Sequence, residues 1–173
     1  MSTAGVEGLP RTGGYVIDTE ASTVRFRTRA MFGLLPVRGT FAISEGRITV
    51  GDPVEESAVR VSVAAATFDS GNTKRDDHVR SDDYLDVENH PEIVFVSEQA
   101  ERSGEGGYLD GVLTVRGVTT PLEVAVDSVT VDGDRFTARG SAEVDRYAMG
   151  LTNAKGMTGR RLKVELQVVA TAE

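Results

Sequence analysis

LEVAVDSVTVDGDRFTARGSAEV, residues 122–144, is the stretch that decides the fold. In its first half Leu122, Val124 and Val126 share one face; in its second half Phe136, Ala138, Gly140, Ala142 and Val144 do. A period of two marks a strand with one buried side, because successive side chains leave opposite faces of the pleat. Between the halves, Asp132-Gly133 followed by Asp134 is a two-residue hairpin signal, since turns that match strand twist need residues tolerant of positive φ. An isolated hairpin of this kind is marginal in water and needs more sheet against its apolar face.

Working outward, the pattern recurs on both sides. Val24 and Phe26 alternate with Arg25 and Arg27; Val37, Gly39, Phe41 and Ile43 share a face, as do Val59, Val61 and Val63. Leu162, Val164, Leu166 and Val168 close the chain against outward Lys163, Glu165 and Gln167. Glu45-Gly46, Gly51-Asp52-Pro53, Gly104 to Gly107 and Arg116-Gly117 punctuate the strands. Eight to ten amphipathic strands with short turns form a meander, and no helical layer exists to cover an open sheet. Closure removes exposed edges, so the expected fold is all-β: an eight-stranded antiparallel barrel, a size able to enclose one apolar ligand. Small inward residues (Gly39, Gly111, Ala138, Gly140, Ala142) among Phe26, Phe41 and Phe95 point to a cavity, although strand glycines also mark bends and bulges. Residues 1–13 read as a flexible leader and 14–173 as one domain.

One segment breaks the β pattern. Ser70 to Phe95, SGNTKRDDHVRSDDYLDVENHPEIVF, carries both histidines and a helical signal. Ser70, Asn72 and Thr73 are N-cap candidates, and Ser81 with Asp82-Asp83 repeats the signal, so two short helices are expected before Pro91. His78 could meet a ligand head group at a barrel mouth, join Asp76, Asp77 and His90 on a metal, or merely staple the insert to the wall. Two histidines twelve residues apart match no compact ligand spacing, so no metal and no cofactor are expected.

The 173 residues are 39% hydrophobic and 27% charged, an ordinary globular composition. A net charge of −8 argues against nucleic acid as a partner and against bulk attraction to an anionic membrane. With no cysteine, disulfides and thiolate chemistry are excluded. No apolar run reaches the length of a membrane span and no signal segment precedes Tyr15, so a cytoplasmic protein without stable membrane insertion is expected. A homodimer is left open. No nucleophile elbow or phosphate loop accompanies the acids, His78, Ser81 and Tyr84, so a non-catalytic role is expected.

Four stretches resemble the YceI-like family of lipocalin-like, polyisoprenoid-binding proteins. They are Val24-Arg25-Phe26 with Val37 to Phe41; Arg75 to Asp86 with His90 to Phe95; Gly111 to Thr119; and Asp145 to Gly150. Tyr15 stands where that family often has Trp, Tyr84-Leu85 replaces a common Phe-Phe, and Ala148-Met149 replaces Asp-Phe. The resemblance implies a lipocalin-like barrel with an apolar tunnel for a long-chain isoprenoid or similar lipid, such as a polyprenyl phosphate or a quinone. The candidate ligand-binding set is Phe26, Phe32, Phe41, Val63, Phe68, His78, Tyr84, Phe95, Gly111, Leu113, Tyr147, Met149 and Arg160. Met31, Phe32, Met149 and Met157 could line a tunnel end, since thioethers adapt to a chain, or simply pack their loops. Arg160-Arg161 could receive a pyrophosphate or be surface charges.

Overall fold

The alternating stretches pair with their sequence neighbours, and the first closes on the last. A computed structural model describes residues 6–30, 34–104, 106–152 and 159–173. Among them are strands β1 (Val6–Glu7), β2 (Gly13–Ile17), β3 (Thr23–Ala30), β4 (Leu35–Val50), β5 (Ala58–Asp69), β6 (Glu92–Ser103), β7 (Gly106–Val115), β8 (Val118–Asp132), β9 (Arg135–Asp145) and β10 (Arg161–Ala172). Helix α1 (Thr73–Arg80) stands between β5 and β6. Strands β3 to β10 pair in order, each antiparallel, and β10 returns to β3 through Val164↔Phe26 and Leu166↔Val24. The result is a closed barrel with eight wall positions.

The first position is shared. Both β2 and β3 lie between β4 and β10, so they are two pieces of one interrupted strand. Side chains satisfy the backbone at the break: Asp18 Oδ1 accepts from the amides of Glu20 and Ala21, each at 3.1 Å, and the Val169 amide donates to Ser22 Oγ at 2.9 Å. Ala172 pairs with Tyr15, and the Glu173 amide donates to the Gly14 carbonyl at 3.0 Å, which brings the two ends of the barrel wall together. Within the stretch read as a leader, Val6 and Glu7 pair with Val131 and Thr130 of β8.

Antiparallel order sends alternate connections to opposite ends. At one pole lie the turns β4–β5, β6–β7 and β8–β9, and apolar packing closes it: Tyr15, Ile17, Val50, Phe136 and Ala170 are buried together. At the other pole lie α1, the β7–β8 turn and the loop after β9. There Phe26, Phe68, Leu85, Leu113, Met149 and Leu151 form a second buried cluster.

Two expectations are corrected in detail, and one strand departs from simple alternation. Asp132 and Arg135 are paired, so Gly133 (φ +64°) and Asp134 make the turn, one residue later than read. The insert holds one helix, not two. Asn72 caps it by accepting the Arg75 amide at 3.0 Å, and Ser81 ends it, with amide and hydroxyl both on the His78 carbonyl. The amides of Leu85, Asp86 and Val87 then turn back to the carbonyls of Val79, Ser81 and Arg80, which leaves no second helical ladder. Finally, the inward face of β5 changes parity: Val59, Val61 and Val63 face the interior, but so does Phe68. Irregularities in the β4–β5 register at Thr40/Ala42 and Ile43/Glu45 accompany the switch.

Candidate functional site

The inward faces do not fill the barrel. An apolar cavity of about 460 Å³ runs from Ile17, Ile43 and Val124 beside the packed pole to Leu85, Met149 and Leu151 at the other. Phe26, Phe41, Val63, Phe68, Phe95 and Leu113 line it, and His78, Tyr84 and Met149 line its far end. Gly111, Tyr147 and Arg160 do not line it, and Phe32, with Met31 and Met157, lies outside the described residues.

Of the three glycines read as openings, Gly140 lines the cavity, while Gly39 and Gly111 are seats for rings. A Cβ at Gly39 would lie 2.2 Å from the Phe26 ring, and one at Gly111 would lie 2.7 Å from the Phe95 ring and 2.4 Å from the Val96 carbonyl. Each glycine lets a neighbouring aromatic lie flat against backbone, so the missing side chain is replaced rather than left void. Phe26 in turn stacks on Phe68 (centroids 5.0 Å apart), and both meet Phe41 at 5.6 and 5.4 Å. This trio narrows the cavity and gives it firm walls, since such ring pairs add to area burial.

The far pole is closed by charged groups acting on backbone. Buried Asp76 takes the Ser70 amide at 3.0 Å and the Ser70 hydroxyl at 2.5 Å, tying α1 to the end of β5. Arg80 donates through Nε to the Ala66 carbonyl (2.9 Å) and through Nη2 to that of Phe68 (2.5 Å), two acceptors where β5 departs from its regular ladder. Buried Arg146 holds the loop after β9 through the carbonyls of Gly159 (2.8 Å) and Leu151 (2.6 Å). Arg116, at φ +51° in the β7–β8 turn, donates to the Tyr84 carbonyl at 3.0 Å. Sequence reasoning singled out neither Arg80, Arg116 nor Arg146, because their partners are main-chain carbonyls that no residue type announces.

Polar atoms reach the cavity mainly at this pole. Arg75, His78, Tyr84 and Arg146 line it, and among the described residues no carboxylate does. Arg75 and His78 are also exposed, so the cavity meets solvent between them. The His78 ring bonds Asp83 through Nε2 at 3.0 Å and stands edge-on to Tyr84 at 5.1 Å. Arg160 lies outside: its guanidinium forks onto Asp145 at 2.9 and 3.0 Å. That pair holds the Asp145 carboxyl below its ordinary range and raises the Arg160 guanidinium. Tyr147 lies between Arg146 and Arg160, whose guanidinium carbons are 4.9 and 5.0 Å from its ring centroid. Among the described residues, no three His, Asp or Glu side chains gather as a cation site.

A YceI-like domain model matches residues 15–170, the whole closed wall with its insert. The chain belongs to the YceI-like family. A UPF0312 protein of Azotobacter vinelandii is 31% identical over 160 residues, covering 90% of this chain and 77% of the relative. Among such relatives, the matched share of their own length runs from 44% in Photorhabdus laumondii to 88% in Pseudomonas aeruginosa. Two solved structures show the same fold. BcnA of Burkholderia cenocepacia superposes with a TM-score of 0.81 at 22% identity, over 90% of this chain and 99% of that one. A polyisoprenoid binding domain from Saccharophagus degradans superposes with 0.73 at 12% identity, over 94% and 100%. In β3 and β10 the charged residues face outward and the apolar ones inward, the reverse of a barrel whose wall faces lipid. Among the described residues, no helix is long and apolar enough to cross a membrane.

Proposed function

We propose that this YceI-like barrel is a non-catalytic carrier of a long-chain isoprenoid or similar lipid, held with its tail along the cavity and its head between Arg75 and His78. The observation that carries this reading is the cavity itself: about 460 Å³, bounded by apolar side chains, with polar groups gathered at one end. Its volume falls within the roughly 300–1,000 Å³ of small-molecule sites. The binding domain from Saccharophagus degradans, whose name gives polyisoprenoid as its ligand class, has the same fold and supports the reading.

Tail burial supplies affinity against water, roughly 0.8 kcal/mol per methylene. A tail drawn from a bilayer already sits in hydrocarbon, so that gain nearly cancels. Selection then falls to cavity shape, set by the Phe26, Phe41 and Phe68 rings, and to the head. Arg75 and His78, the latter already bonded to Asp83, present donors at the mouth that favour an acceptor-rich head, a phosphate or a quinone.

Mass spectrometry of organic extract from purified protein tests the proposal, with Ala142→Phe as the control. Ala142 lines the cavity, and a ring there fills space for about 1–3 kcal/mol of overpacking. Wild type should carry an isoprenoid lipid, and folded Ala142→Phe at least about tenfold less, a loss of about 1.4 kcal/mol in binding. Gly111→Phe should fail to fold instead, because its Cβ would press on the Val96 carbonyl. Wild type that carries no lipid and takes up no labelled prenyl chain would end the carrier reading.

A further inference from the structure

The hairpin of β3 and β4 extends beyond the rest of the wall. Strand β10 pairs with β3 only from Thr23 to Arg27, and β5 pairs with β4 only from Thr40 onward. Thr28↔Val37, Arg29↔Pro36 and Ala30↔Leu35 continue the ladder past both neighbouring strands, as a finger at the open pole whose base is tied to β10 by the Thr28 hydroxyl, which donates to the Arg161 carbonyl at 2.8 Å. Toward its tip Leu34 is 78% exposed and Leu35 50% exposed, the two most exposed leucines of the chain, with Leu9 next at 46%. Across its base, Lys163, Arg27 and Arg38 sit side by side in cross-strand register on the outer face, and all three are exposed. Like charges directly opposite one another are unfavourable in a sheet. Two acids flank the row: Glu143, opposite Lys163 on β9 and held by Arg161 at 3.0 Å, and Glu165, whose Oε1 lies 3.9 Å from Arg27.

This arrangement has both parts of a peripheral lipid anchor, apolar tip and basic collar, and either alone binds weakly. The spacing fits as well. From Leu35 to Arg38 is three residues, about 10 Å along a strand, so with the leucines at the acyl boundary the cationic row stands at the headgroup phosphates. The chain carries −8 overall, which leaves the attraction local to this finger and orients the molecule.

We propose that the β3–β4 finger docks the cavity mouth onto an anionic phospholipid bilayer, with Leu34 and Leu35 entering the interface and Arg27, Arg38 and Lys163 on phosphates. None of these five residues lines the cavity, so docking and lipid carriage stand or fall separately. Flotation with vesicles of phosphatidylcholine, with and without one quarter phosphatidylglycerol, tests the proposal on the full chain. Wild type should float with the mixed vesicles and not with phosphatidylcholine alone, and salt should release it. Each basic residue near an anionic surface contributes roughly fivefold, so R27E/R38E/K163E should bind at least about a hundredfold more weakly. L34S/L35S should lose about tenfold or more while keeping its charge. Circular dichroism and extracted lipid should match wild type in both variants. Equal flotation of wild type and either variant would overturn the proposal. So would a wild type that ignores anionic vesicles, including one that binds an acidic polypeptide instead.

Discussion

The two poles of the barrel are shut by different physics. At one, Tyr15 stands edge-on to Phe136 with centroids 4.9 Å apart, over Val50 and Ala170. At the other, Asp76 and Arg80 of α1 and Arg116 and Arg146 of the connecting loops reach to main-chain atoms. Apolar packing is cooperative, and a gap in it is costly because close-packed neighbours relax only partly. Hydrogen bonds from charged side chains can be exchanged with water at modest net cost while the wall behind them stays paired. The same chain thus has a pole that holds and a pole that can open, and the cavity lies between them.

Truncation at the packed pole should have the largest effect. Phe136→Ala should cost about 3–5 kcal/mol of global stability in a denaturant titration. A loss below about 1 kcal/mol would mean that this pole does not hold the barrel. A smaller and local effect is expected from Arg80→Met, which strips donors from the Ala66 and Phe68 carbonyls at about 1–3 kcal/mol. Hydrogen exchange should quicken across residues 70–90 while the amides of β9 and β10 keep their protection. Uniform quickening would erase the distinction between the poles.

Smallest is the effect of acid on Asp145. Its carboxyl is held below the ordinary value of 3.8, chiefly by the hydrogen bonds from Arg160. A depressed acid stabilises the folded state above its unfolded value and loses that contribution as pH falls through the lower folded one. Asp145→Asn should lower the neutral-pH midpoint slightly and flatten the fall in stability below pH 3.8 by the same small amount. Wild type and variant curves that stay parallel there would show that the Arg160–Asp145 fork contributes nothing to closing the mouth.

The wall was legible because alternation is a local signal: Val24 and Phe26, Leu162 to Val168, and the 122–144 hairpin each declare a face within a few residues. The Arg116-Gly117 turn was legible for the same reason. Phe68 on the inward side was less so, since a register irregularity shifts parity without changing composition. Gly39 and Gly111 misled, because whether a missing side chain is void or ring seat depends on Phe26 and Phe95 in neighbouring strands. Asn72, Ser70 and Asp76 could be found as a capping group, though Ser70 serves Asp76 rather than the helix. Arg80, Arg116 and Arg146 could not, for long arginines look alike in sequence whether they face water or clasp a carbonyl.

The meeting of Gly14 with Glu173 at the packed pole has a consequence for how the chain can be rewired. Start and finish of the wall lie side by side, far from the opening, so the linear order of the strands is a convention rather than a requirement of the ring. A circularly permuted gene that splices Glu173 to Gly13 through a short linker and begins anew at Asp134 would keep every stave in place. Fusion partners or immobilisation handles attached there would hang from the base of the vessel and leave its lip clear.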